Sequence, residues 1–260
     1  MIVLALLFLA TACLYASVGF GGGSTYNALL VLNGTDYRLL PSIALICNLI
    51  VVSGGTLRFA REGLLRWRDL LPFLAGSVPL AWIGGRLSIS ETVFTGLLGA
   101  SLLASAVHLL STSATPEQPT EIRARKSTFT SGKGVALASG AGIGLLSGLV
   151  GIGGGIFLAP LLYLGRWGSP REIAAASSLF ILVNSLSGLA GQVTKLTADG
   201  SSLSLIAYWP LFLAVLLGGQ LGSRLGAKIL PEPVMKRATA LLIAYVALRL
   251  LWRWQGLVFT

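Results

Sequence analysis

The residues with the most chemical promise are two glycine clusters, Gly19-Phe20-Gly21-Gly22-Gly23 and Gly151-Ile152-Gly153-Gly154-Gly155. Glycine carries no reactive side chain, but it admits left-handed backbone and lets a ligand approach the main chain. An apolar segment able to restart as a helix follows each cluster, at Ser24-Thr25 and at Ile156-Phe157. A helix N-terminus presents unpaired N–H groups and about half a positive charge, which suits an anion. The hydroxyls of Ser24 and Thr25 add donors. Gly21, Gly22, Gly23, Ser24, Thr25, Gly153, Gly154 and Gly155 are therefore candidate substrate-binding residues for a small anion. The plainer reading is that these glycines serve close helix packing. Neither cluster is a dinucleotide fingerprint, since Ser24 and Ile156 stand where the third glycine should fall.

Asn48 and Asn184 join the candidates. Each lies in the middle of a very apolar segment, where an amide is costly unless bonded or facing a cavity. Ser42 and Ser178 lie six residues before them, less than two helical turns away. The amides can hold a carbonyl freed at a glycine break, touch a substrate, or do both. His108 is the only histidine, and one histidine makes neither a metal site nor a triad, so it reads as interfacial or packed. Cys13 and Cys47 sit in apolar runs and read as small buried hydrophobes. An intramembrane enzyme needs a nucleophile with its base, paired aspartates or a metal cluster. With none in the sequence, no catalytic residue, metal or cofactor is expected. The nine acidic residues all fall in loops or at segment ends. A cation carrier would place one at membrane depth, so their distribution favours an anionic substrate.

These residues need a framework, and composition says which. Of the 260 residues, 54% are hydrophobic and 11% charged. A soluble domain has about a quarter charged, so lipid is the natural surround. The net charge of +10 fits basic loops on one membrane face, and no nucleic-acid partner is expected. Uncharged runs cover 1–35, 39–57, 70–85, 92–116, 134–165, 173–194 and 200–223, and a last apolar segment spans 238–252. Tryptophans near the segment ends, such as Trp67, Trp167 and Trp209, fit an interfacial belt. Ile2–Ala10 has no basic residue before it, so it reads as part of the mature protein rather than as a signal peptide.

The segments repeat. The glycine clusters recur 132 residues apart, Ser42 and Asn48 match Ser178 and Asn184 at 136, and Gly84-x-Arg86-Leu87 matches Gly222-x-Arg224-Leu225 at 138. Internal duplication is typical of secondary transporters. The expected organisation is a first membrane repeat over 1–110, a polar cytoplasmic linker over 111–133 and a second repeat over 134–260. Run 1–35 would make a helix of about 50 Å against a bilayer core of about 30 Å, so the glycines must break it. If both broken segments are re-entrant, Arg38, Arg86, Lys195, Arg249 and Arg253 face one side and the other 14 of the 19 basic residues face the opposite one. That split obeys the positive-inside rule. The expected fold is an all-α polytopic membrane protein of two inverted repeats. Each repeat is a broken, re-entrant helix hairpin plus three transmembrane helices. The chain is expected in the cell's inner membrane with both termini outside.

The two glycine clusters, the Ser147–Gly155 run and the Asn184-Ser185-Leu186-Ser187-Gly188 stretch resemble the TauE/SafE sulfite exporter family. The resemblance covers nearly the whole chain and is more specific in the second half; Pro41-Ser42 stands in the first half where the second has Ser177-Ser178. It implies a carrier of small sulfur-containing or organic anions such as sulfite, thiosulfate or sulfoacetate. An anion channel shares these features, and a non-transporting assembly factor is the other rival. A homodimer is one assembly open to it.

Overall fold

The computed structural model describes residues 1–18, 20–112, 132–165, 167–198, 202–225 and 232–259. The described residues are helical throughout, with short connections. The order is α1 Ile2–Val18, α2 Gly23–Leu32, α3 Leu40–Arg61, α4 Trp67–Arg86, α5 Glu91–Thr112, α6 Lys133–Val150, α7 Gly155–Leu164, α8 Pro170–Ala198, α9 Trp209–Leu225 and α10 Glu232–Phe259, with a 3₁₀ segment Ser202–Tyr208 before α9. Most of the linker expected over 111–133 lies outside the described residues. Among the described residues, five helical stretches are long and apolar enough to cross a membrane: Leu40–Arg61, Lys133–Val150, Pro170–Ala198, Leu205–Ser223 and Ala240–Val258. Large apolar side chains such as Leu6, Leu164, Leu241, Leu248 and Trp252 point outward, an exposure that suits lipid rather than water.

Both long glycine-containing runs are indeed broken, each into a longer and a shorter helix. The first limbs, α1 and α6, have 17 and 18 residues, and the second limbs, α2 and α7, have 10 each. At about 1.5 Å per residue, the first limb nearly spans a bilayer and the second reaches half-way. The expected hairpin of two half-helices is thus lopsided. At the first break the limbs fold back on each other. The Phe8 and Tyr26 rings stack at 4.8 Å, and the Tyr15 and Thr25 hydroxyls lie 3.0 Å apart.

The sequence repeat reappears as exchanged contacts. α6 of the second half packs along α4 of the first, and α1 of the first half packs along α9 of the second. Gly84 of α4 lies directly against the Leu145 carbonyl of α6, and Gly222 of α9 against the Cys13 carbonyl of α1. Residues 84 and 222 are 138 apart and 13 and 145 are 132 apart, the spacings already read from the sequence. The helices that correspond between the halves run antiparallel where they touch. Thr56 of α3 bonds Ser178 of α8, while Leu45 of α3 meets Gly188 further along α8. Likewise Glu91 of α5 pairs with Arg253 of α10, and Gly99 meets Leu251.

Glycine makes these contacts close. Gly140, Gly144 and Gly148 form one face of α6 at a spacing of four and rest on the backbone of Phe73, Ser77 and Ala81 of α4. Such small-residue faces let two helix backbones touch, which is how helices associate where lipid offers no hydrophobic drive.

Candidate functional site

The second break is built from three left-handed glycines. Gly151 ends α6 at φ 79°, and its N–H donates to the Ser147 carbonyl, the usual glycine stop of a helix. Gly153 and Gly154 follow at φ 86° and 80°, and the Gly154 carbonyl accepts the N–H groups of Phe157 and Leu158 to start α7. The first break turns differently. Gly22 precedes α2 at φ −95°, a value open to any residue, and Gly19 is outside the described residues.

The two breaks meet. A Cβ on Gly23 would lie 2.5 Å from the Ile152 carbonyl oxygen and 2.6 Å from the Asn48 amide nitrogen, and one on Gly153 would lie 2.7 Å from that same nitrogen. A Cβ on Gly21 would lie 2.7 Å from Asn48 Oδ1. Asn48 stands between the clusters, and its Nδ2 donates to the Ile152 carbonyl at 3.1 Å. Ile181 of α8 touches both: its side chain abuts Gly21, Gly153 and Gly155. The segments meeting here come from uncharged sequence, so the local field comes from dipoles. The leading amides of α2, at Gly23, Ser24 and Thr25, and of α7, at Gly155 and Ile156, have no acceptor within their own helix and provide the positive end.

The other candidates divide. Ser24, Thr25, Ser42, Ser178 and Asn184 are all buried. The Thr25 hydroxyl is engaged with Tyr15 and that of Ser178 with Thr56 at 2.8 Å. Ser42 Oγ has no hydrogen-bond partner; it follows Pro41, whose backbone lies against Gly151. Asn184, the match of Asn48, does not reach across. Its Nδ2 donates to Phe180 in its own helix at 2.9 Å, and its Oδ1 is unpartnered.

Four neighbours escaped the sequence reading. Asn27 Nδ2 donates to the Val150 carbonyl at 2.9 Å and Gln192 Nε2 to the Gly148 carbonyl at 2.8 Å. With Asn48 these amides take up three carbonyls at the C-terminal end of α6 and just past it, oxygens that a helix end leaves unpaired. Ser185 Oγ, buried and unpartnered, would lie 3.2 Å from a Cβ on Gly153. Ser177 Oγ is likewise buried and unpartnered. Asn27 and Gln192 carried the signal that singled out Asn48, an amide in an apolar segment. Ser177 and Ser185 carried only their place in the stretches compared with the family.

A many-helix apolar bundle with two broken helices meeting in an uncharged interior defines a membrane transporter of the broken-helix kind. Comparison with known proteins gives the family: residues 3–250 match the model of "Sulfite exporter TauE/SafE", and the chain belongs to that family of membrane transporters. It is 33% identical to "Probable membrane transporter protein y4hK" of Sinorhizobium fredii, over 96% of this chain and 97% of that protein. It is 28% identical to "Probable membrane transporter protein MamO" of Paramagnetospirillum magneticum, over 95% of this chain but 44% of that longer protein. No solved structure gives a significant match.

Proposed function

We propose that the protein is a secondary transporter, working as an exporter, that holds a small anion between Gly21–Gly23 and Gly153–Gly155 near the membrane midplane. Sulfite or a related sulfur oxyanion or organosulfonate is the substrate class. The observation that carries the reading is the meeting of the two glycine breaks in an uncharged interior, with Asn48 between them. Hydrogen bonds to a charged group contribute about 1.5–3 kcal/mol each, net of the water they replace, and backbone amides and serines are the donors that supply them here. The antiparallel run of corresponding helices supports two inverted repeats, and the distribution of basic residues supports a cytoplasmic linker with both termini outside the inner membrane.

Direct binding and proteoliposome flux with a panel of sulfite, thiosulfate, sulfonates and carboxylates test this reading. Saturable flux of one or more sulfur oxyanions is expected. Carboxylate transport without sulfur-oxyanion transport would overturn the substrate class, and no flux of any anion would overturn the activity.

A further inference from the structure

We infer that the transported species is a singly charged oxyanion that still carries an O–H, and that Asn48 Oδ1 is the acceptor for that O–H. The inference rests on the anion site proposed above and adds the protonation state of its occupant.

The direction of one amide sets what the site requires of its occupant. Asn48 is fully buried. Its Nδ2 donates to the Ile152 carbonyl, and this bond fixes which way the carboxamide faces. Rotating it by half a turn would set Oδ1 against the carbonyl oxygen, acceptor against acceptor. Oδ1 is therefore held toward the first break, beside Gly21, where it has no partner. Around it the site offers donors: the leading amides of α2 and α7 and the buried, unpartnered hydroxyl of Ser185.

A fully deprotonated oxyanion presents acceptors only. It satisfies the amides but sets negative oxygen against Asn48 Oδ1. An aprotic monoanion leaves Oδ1 unmet. A hydrogen oxyanion satisfies both sets, its negative oxygens toward the helix ends and its O–H toward Oδ1. Sequence runs 1–35, 39–57, 134–165 and 173–194 contain no Lys, Arg or His, so these segments bring no cationic side chain to balance a second negative charge.

The proton then travels on the substrate. The oxyanion takes it from water on one side and returns it to water on the other, with no bond made to the protein. The titratable side chains within the uncharged runs of α1, α2 and α3 are Cys13, Tyr15, Tyr26 and Cys47. The first two turns of α7 and residues 173–194 of α8 bring none. A chain without an acidic residue at membrane depth can in this way move a proton with its anion.

The test uses the intact protein in proteoliposomes with equal pH inside and out. Initial uptake of sulfite, methanesulfonate and sulfate is measured at subsaturating concentration from about pH 6 to pH 8, below the usual ionisation of a phenol or a thiol. Uptake into empty liposomes is subtracted. Sulfite uptake should track the hydrogensulfite fraction, falling toward tenfold per pH unit once pH exceeds the acid's second pKa. Methanesulfonate, a monoanion without an O–H, should enter at least tenfold more slowly than sulfite at pH 6, and sulfate should not enter. Sulfite uptake that is flat with pH or rises with the dianion would overturn this inference while leaving the anion site standing. If none of the three enters above the empty-liposome rate at any pH, the proposed transport of sulfur oxyanions fails with it.

Discussion

Asn48 and Asn184 occupy matched positions in corresponding helices, yet one crosses to the opposite half and the other bonds within its own turn. The consequences of removing them should differ. Asn48→Leu leaves the Ile152 carbonyl without its donor, a penalty of about 1–3 kcal/mol, and removes the acceptor beside Gly21. We expect transport to fall about tenfold or more while the protein still inserts. Asn184→Leu removes a bond to a carbonyl that the helix ladder already serves, a loss of about 0.6 kcal/mol, so its flux should stay within about threefold of the parent. Equal loss in both, measured in proteoliposomes at matched protein content, would contradict this. The glycines divide similarly. A side chain at Gly154 must adopt φ 80°, a cost of about 1–2 kcal/mol, and it meets Ile143 and Phe180 at 2.9 Å. Gly22 has ordinary φ, and the atoms nearest a Cβ there are side-chain atoms of Thr11 and Tyr26 at 3.0 Å. Gly154→Ala should weaken anion binding about tenfold and Gly22→Ala less, as read by direct titration. The amide in hydrocarbon announced Asn48 from sequence, because burying one without a partner is expensive. Nothing in the sequence announced that Thr25 and Ser178 would spend their hydroxyls on Tyr15 and Thr56, since such bonds depend on which helices become neighbours.

At the scale of elements, the glycine breaks were legible because a run of 35 uncharged residues cannot cross a bilayer as one helix. The lengths of the limbs were not. α1 runs as far as Val18 because nothing before the first cluster disfavours helix, and the sequence contains no mark of where the membrane midplane falls. The close packing of α4 on α6 was equally hidden. Gly140, Gly144 and Gly148 lie at the interval expected of a packing face, but their partner helix cannot be read from one chain. That face carries a prediction about stability alone. Gly144→Leu drives a side chain into the backbone at Ser77. Overpacking costs about 1–3 kcal/mol even where side chains can yield, and backbone yields less. The melting temperature of the detergent-solubilised protein should drop sharply or expression should fail. At exposed Gly142, where a Cβ meets nothing within 4 Å, Gly142→Ala should hold or slightly raise the melting temperature, since alanine favours the helix over glycine.

Across the whole molecule, the duplication was the most legible feature, because matched residues at slowly growing offsets survive in the sequence. In the structure helices of one half pack along helices of the other, α1 on α9 and α4 on α6. Orientation in the membrane rests on charge alone, so it needs its own measurement. Single cysteines placed in the 111–133 linker should resist an impermeant thiol reagent in intact cells and react after permeabilisation, whereas cysteines near either terminus should react in intact cells. Labelling of the linker from outside would reverse the assignment of sides, and labelling of linker and termini from the same side would overturn the proposed inversion of the repeats.

The central claim is that one anion sits where Gly21–Gly23 and Gly153–Gly155 meet. It is tested most directly by locating an anion whose scattering identifies it. Selenite has the shape of sulfite and carries an anomalous scatterer, so crystals grown with it report position independently of transport rates. An anomalous peak is expected between the two glycine breaks, within hydrogen-bonding reach of Asn48 and Ser185, that disappears on competition with sulfite. A competable peak elsewhere in the bundle, with the space between the breaks empty, would contradict it.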